Sequence, residues 1–257
     1  MAVSTFLLLH GWQNRRPEGH WQHWLARELG PDGARHEVIY PQLPEPDHPE
    51  LDMWVGELAT RLDGLRSAVV VCHSLGCLVW LHAVARGVVP AGSVERVLLV
   101  APPSASFVAA HPEIAAFAPP APQRAQGVPV RIVASDDDPC CPEGALAAYG
   151  RPLGVDTDVV EGAGHLSLGD GYGVWPAALA WCLEPETARF GRAAGAGSPG
   201  DSGSFTDSGS LGDSGSFTDS GSITDSGSLT DSGSITDSGS ITDSGSFGDS
   251  GSFGERV

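Results

Sequence analysis

The sequence predicts an α/β fold: a mostly parallel sheet of six strands with helices on both faces, followed by a low-complexity C-terminal tail. Three observations predict it. Short β-branched or leucine-rich runs alternate with stretches of helical spacing through residues 1–190, which is the pattern of strands joined by crossover helices. One of those runs, Val69-Val70-Val71, passes through Cys72-His73-Ser74-Leu75-Gly76 directly into a helix-compatible stretch. From residue 201 to 254 the chain becomes nine copies of a six-residue unit carrying Asp-Ser-Gly-Ser, which cannot build a core.

The elements follow in order. Thr5–Leu9 reads as a buried strand entering the His10-Gly11-Trp12-Gln13 loop. His20–Leu29 has helical spacing, with Trp21, Trp24, Leu25 and Leu29 on one face. Glu37–Tyr40 is a second strand, closed by a proline-rich loop. Glu50–Leu65 is a second amphipathic helix, with Leu51, Trp54, Val55, Leu58 and Leu62 inside. Ser67–Val71 is the third strand, and the helix after it is expected over Cys77–Arg86. Val94–Val100, Val128–Ala134 and Val155–Val160 complete the sheet, with helices expected at Pro142–Tyr149 and Trp175–Cys182. Residues 104–127, rich in Ala and Pro, read as an insertion over the top of the sheet. The domain is bounded at 1–190 and the tail at 191–257.

Composition narrows the chemistry. Half of the net charge of −18 sits in residues 201–257, as nine Asp and Glu255 against Arg256. The domain is acidic too and has no basic cluster, which argues against nucleic acid and anionic membranes as partners. All 14 basic residues are arginine, so lysine Schiff-base chemistry and a lysine-bearing phosphate loop are excluded. The five cysteines contain no C-x-x-C and read as reduced thiols of a cytoplasmic protein. No apolar run is long enough to span a bilayer, and Met1–Leu9 lacks the form of a signal peptide. His20 and His23 stand three apart on a helix without a sensibly spaced third ligand, so no metal is expected, and no cofactor.

A parallel sheet binds its ligand at the carboxyl ends of its strands. His10-Gly11, Ser74, Asp138 and His165 all fall at such ends. Serine needs a base within hydrogen-bond reach and a carboxylate to orient that base. Ser74 at a strand–helix turn, Asp138 and His165 occur in the nucleophile–acid–base order of hydrolases built on such sheets. Asp138-Pro139-Cys140-Cys141-Pro142 fits the turn that such an acid opens, while a one-residue shift of register would substitute Asp137. The backbone N–H groups of Leu75, at the helix start, and Trp12, after His10-Gly11, are the expected oxyanion donors. Cys77 reads as buried packing, and no histidine partner is suggested for Cys140 or Cys141.

Taken together, Leu9-His10-Gly11-Trp12-Gln13, His20-Trp21-Gln22, His73-Ser74-Leu75-Gly76-Cys77, Ser135 to Pro139 and Gly164-His165 with Gly171 to Pro176 resemble a known family. It is that of the small single-domain serine hydrolases typified by retinoblastoma-binding protein 9 and bacterial YdeN. The resemblance covers roughly residues 4–187. It implies an α/β-hydrolase fold trimmed of its first antiparallel hairpin, with little or no lid. It also implies Ser74, Asp138 and His165 as triad, and esterase- or peptidase-like activity; the expected reaction is cleavage of a small ester, thioester or amide of a small-molecule acyl substrate through an acyl-serine. Two features depart from the family: Cys72 where a glycine is common, and the tail. A non-catalytic interaction module on the same scaffold, or an acyltransferase using the same triad, are the alternative readings. The tail reads as a disordered acidic tether with weak protein contacts, its rival a hexapeptide solenoid.

Overall fold

The computed structural model describes residues 3–30, 33–123 and 127–191; the repeat tail lies outside them. The strands are β1 (Thr5–Leu9), β2 (Glu37–Ile39), β3 (Ala68–His73), β4 (Val94–Val100), β5 (Val130–Ser135) and β6 (Asp156–Val160). They form one sheet in the order β2-β1-β3-β4-β5-β6, and every neighbouring pair is parallel. The chain first steps outward from β1 to β2, then returns across β1 to β3 and runs the other way. The direction of winding therefore reverses between β1 and β3, and a crevice opens at their carboxyl ends.

Side chains alternate across the sheet, as the pleat requires. Leu7 and Leu9 of β1, Val70 and Cys72 of β3, and Val97 and Leu99 of β4 enter one core with α2 (Leu51–Leu62) and α3 (Leu75–Ala85). Phe6 and Leu8, Val69 and Val71, Leu98 and Val100 enter the other with α1 (Trp21–Leu29) and, from the chain's end, Ala178, Trp181 and Cys182. Strands buried on both faces explain why the runs are continuously apolar. Helix α3 is apolar all round because it is covered all round: every residue from Leu75 to Leu81 is buried. Trp21, Trp54, Trp80 and Trp175 are almost fully buried core residues.

Local chemistry shifts several boundaries. The helix after Ser74 begins at Leu75, two residues earlier than expected, because Ser74 itself completes the turn. The expected helix from Pro142 is delayed. Gly144, at φ +77°, breaks the chain direction, and a π-helical turn, Leu146–Gly150, runs into a short α5 (Arg151–Leu153). The insertion over the sheet contains α4 (Ala105–Ala109), capped by Ser104 accepting from the Phe107 N–H at 3.3 Å, and a 3-10 segment, Pro112–Phe117. The last helix, α6, spans Pro176–Leu183, with Pro176 at its first turn where no N–H is needed. Among the described residues no helix is long and apolar enough to cross a membrane.

Candidate active site

Ser74 stands between β3 and α3 with φ +54° and ψ −125°, a conformation that side-chain-bearing residues rarely adopt. The strain is held from both sides. The Ser74 N–H donates to Val100 O of β4 at 2.9 Å, and Ser74 O accepts from the Cys77 N–H at 2.9 Å. Two glycines let the backbones close in. A Cβ on Gly76 would stand 2.8 Å from His10 O and 2.9 Å from Leu9 O, so the start of α3 rests directly on the end of β1. A Cβ on Gly11 would stand 2.6 Å from Ser74 Cβ and 3.0 Å from its Oγ, so the loop carrying Trp12 lies against the serine. Cys72, the departure from glycine, is accommodated: its side chain is fully buried in the α2/α3 core. Burial pushes its thiol pKa up, so it stays protonated and inert.

The three polar side chains meet. His165 Nε2 is 2.8 Å from Ser74 Oγ, and His165 Nδ1 is 2.9 and 3.0 Å from the two oxygens of Asp138. A carboxylate only accepts, so Nδ1 carries the proton and Nε2 is free to accept from the serine hydroxyl. Asp138 is buried with its side chain 1% exposed, and the Cys140 N–H donates to its Oδ1 at 2.8 Å. Burial alone would lower the His165 pKa, but the Asp138 carboxylate and the Cys140 sulfur together more than offset that and the net shift is upward.

Asp137, the alternative acid, is turned elsewhere. Its Oδ1 accepts from the Gly164 N–H at 2.7 Å, and Asp136 Oδ1 accepts from the Gly162 N–H at 2.8 Å. Ser135 Oγ accepts from the Ala163 N–H at 2.8 Å. The run Ser135 to Asp138 thus holds the loop after β6 residue by residue and then reaches the imidazole. Asp170 closes the other side, with Oδ2 accepting from the His165 N–H at 3.1 Å and the Ser167 N–H at 3.0 Å. Sequence reasoning passed over Asp170, although Ser167-Leu168-Gly169-Asp170 carries the spacing of a capping box, and the box is formed.

Two more histidines brace the site. The Leu43 N–H donates to His10 Nε2 at 2.8 Å, which leaves the proton on Nδ1, donated to Gly11 O at 2.8 Å. That carbonyl belongs to the same planar peptide as the Trp12 N–H, so fixing one aims the other in the opposite direction. Burial lowers the His10 pKa to about 4 and keeps this tautomer neutral. His73 Nε2 donates to His165 O at 3.0 Å and ties the elbow to the histidine loop. Beside it His20 caps α1, its Nδ1 accepting from the Gln22 N–H at 3.2 Å. His20 Nε2 and His73 Nδ1 are buried without a hydrogen-bond partner among the described residues.

A cleft of about 550 Å³ opens over Ser74. Its walls are largely apolar, with Trp12 and Leu168 from loops, Pro103, and Phe107 and Ile114 from the insertion. His111 wedges between Trp12 and Phe107, at ring distances of 5.5 and 4.2 Å, and braces that wall. Leu75 begins α3, so its N–H has no acceptor within the helix, and both Leu75 and Trp12 line the cleft. One expectation is corrected: Cys140 does have a histidine neighbour. Its thiol lies against His165, and ligand atoms of Asp138, Cys140 and His165 stand within 4.8 Å of one another. The β5–β6 loop pairing brings them together, which spacing in the chain does not reveal.

A parallel sheet with a strand–serine–helix elbow at its point of reversal, and histidine and aspartate in hydrogen-bonded series behind the serine, defines an α/β hydrolase of the serine type. A family model described as serine hydrolase matches residues 6–183, and the chain belongs to that family. Among solved structures it is similar to a YdeN-like hydrolase from Pectobacterium atrosepticum, at 23% identity and TM-score 0.57, covering 71% of this chain and 90% of that one. It is also similar to the ydeN gene product from B. subtilis, at 20% identity and TM-score 0.58, covering 70% of this chain and 97% of that one. At these identities the likeness is one of fold. No curated protein matches the chain.

Proposed function

We propose that this hydrolase cleaves a small, uncharged acyl ester or thioester, with Ser74 as nucleophile, His165 as base and Asp138 as orienting acid. The observation that carries the reading is the unbroken series Asp138–His165–Ser74, at 2.9 and 2.8 Å, opening into an apolar cleft. His165 Nε2 takes the Ser74 proton as Oγ attacks the acyl carbon, and the carbonyl electron pair moves onto oxygen. The N–H groups of Leu75 and Trp12 donate to that oxyanion, and the positive end of α3 faces it. Collapse of the tetrahedral intermediate expels the leaving group, which receives the proton from His165. Water, deprotonated by the same nitrogen, then attacks the acyl-serine and regenerates Ser74.

The wall of Trp12, Phe107, Ile114 and Leu168 favours an apolar acyl group. Among the described residues the one arginine lining the cleft, Arg15, is already paired with Asp47, so an anionic substrate gains little there. A fluorophosphonate probe labels the wild type at Ser74, Ser74→Ala abolishes the labelling, and p-nitrophenyl esters of increasing acyl length give an optimum at short to medium chains. A folded wild type that the probe leaves unlabelled overturns the reading.

A further inference from the structure

We propose that Cys140, His165 and Asp138 form an inhibitory site for a thiophilic divalent cation, Zn2+ in the first instance. Sulfur, imidazole nitrogen and carboxylate oxygen are the donor set Zn2+ favours, and here they lie within 4.8 Å of one another. Two of the donors are already in contact, since His165 Nδ1 stands 2.9 Å from Asp138 Oδ1. The third is held near them by its own backbone, the Cys140 N–H donating to Asp138 Oδ1 at 2.8 Å. Ligands of a tetrahedral Zn2+ with bonds of about 2.0–2.3 Å stand roughly 3.5 Å apart, so the thiol has to close by little more than ~1 Å. Cys140 is partly exposed and lines the cleft, so its side chain is free to turn and the ion can enter from solvent. Water or an anion from the cleft completes the fourth position.

The other cysteines do not compete. Cys72, Cys77, Cys141 and Cys182 are buried, and burial raises the pKa of each thiol. Binding releases the Cys140 thiol proton to solvent. The imidazole binds in its neutral form, with a lone pair on the ligating nitrogen and its proton on the other. The ligating nitrogen is Nδ1, the one that faces Asp138: coordination replaces the Asp138 hydrogen bond and leaves the imidazole proton on Nε2, which then cannot accept from Ser74. The hard cations Mg2+ and Ca2+, which prefer all-oxygen sites, do not substitute.

The inhibitory half of this proposal rests on the triad reading; the binding half does not, and the experiment separates them. Zn2+ is titrated calorimetrically into the full-length chain and into Cys140→Ser. In parallel, fluorophosphonate labelling of Ser74 is followed with and without the metal, each protein normalised to its own metal-free rate. The expected result is one Zn2+ per wild-type chain and labelling suppressed in step with occupancy. Affinity and suppression both weaken at least roughly a hundredfold in Cys140→Ser, and binding tightens as pH rises. EDTA restores labelling, and Mg2+ at the same concentration does nothing. Equal affinity in wild type and Cys140→Ser, no binding, or binding that leaves Ser74 labelling untouched each overturns the proposal. A chain that takes up Zn2+ through Cys140 but is never labelled keeps the metal site and refutes the triad reading instead.

Discussion

At the scale of single residues, the site depends on tautomers that hard donors and acceptors dictate. Against the opposing effect of burial, Asp138, accepting from Nδ1, and the neighbouring Cys140 raise the His165 pKa above its ordinary 6.5. A base works only when neutral, so hydrolysis rises with pH through that shifted value and the acid limb lies above 6.5. Asp138→Asn moves the limb downward and lowers kcat on the order of 10⁴-fold; an unmoved limb in a pH–rate profile refutes the assignment. His10 acts one step removed. Without its bond to Gly11 O, the Gly11–Trp12 peptide loses the restraint that aims the Trp12 N–H. His10→Phe therefore lowers kcat by roughly 10²-fold with KM little changed. A boronic acid that mimics the tetrahedral intermediate loses affinity in parallel, whereas a purely structural role would weaken substrate and analogue alike. Position 10 stood at a strand end in the sequence, but its role became visible only when Leu43 and Gly11 were found on its two nitrogens.

At the scale of elements, the close approach of α3 to β1 determines whether the elbow can form at all. Gly76→Ala puts a methyl 2.8 Å from His10 O and 2.9 Å from Leu9 O, both backbone atoms that cannot swing aside. The helix must lift, at a cost of about 1–3 kcal/mol in urea unfolding, and Ser74 labelling falls with it. A variant of unchanged stability and labelling would show that the contact is slack. The strands were legible because burial on both faces leaves a strong apolar signature, and Val94–Val100 was read to the residue. Helix starts were less legible. Leu75 follows a serine at positive φ, a conformation that spacing does not display. Gly144, likewise at positive φ, delayed the helix that Pro142 had suggested. The nucleophile, acid and base candidates were legible through their order and their strand ends. Asp170 and Cys140 were not, because each reaches the site by a loop whose path depends on the pairing of β5 with β6; His73, at the end of β3, was not, because its partner His165 O comes from the loop after β6.

At the scale of the whole molecule, the buried imidazoles behind the cleft make the fold sensitive to acid. His10 and His20 have pKa values lowered to about 4, and His73 is lowered well below 6.5, in each case chiefly by burial. For His10 and His73 the tautomers leave no solvated nitrogen to take a proton: Gly11 O and Leu43 N occupy one ring, and His165 O and the core enclose the other. Between pH 6.5 and about 4 the unfolded chain binds protons that the folded chain refuses. The contribution of these three imidazoles is therefore intact above 6.5 and declines as pH falls through that window, the sign expected of a depressed pKa. Each histidine contributes a slope of up to about 1.4 kcal/mol per pH unit. Urea unfolding across this range should show uptake of more than one proton, and His20→Asn, which keeps a side-chain acceptor for the Gln22 N–H, should flatten the slope by up to one. His165 acts in a different window: its folded pKa is raised to about 10, so its contribution is fully present below 6.5 and is lost as pH rises from 6.5 to about 10. A stability curve flat from pH 6.5 to 4 would mean that the imidazoles behind the cleft are hydrated, and that the elbow rests on a wetter floor than the packing of Trp21, His73 and His20 indicates.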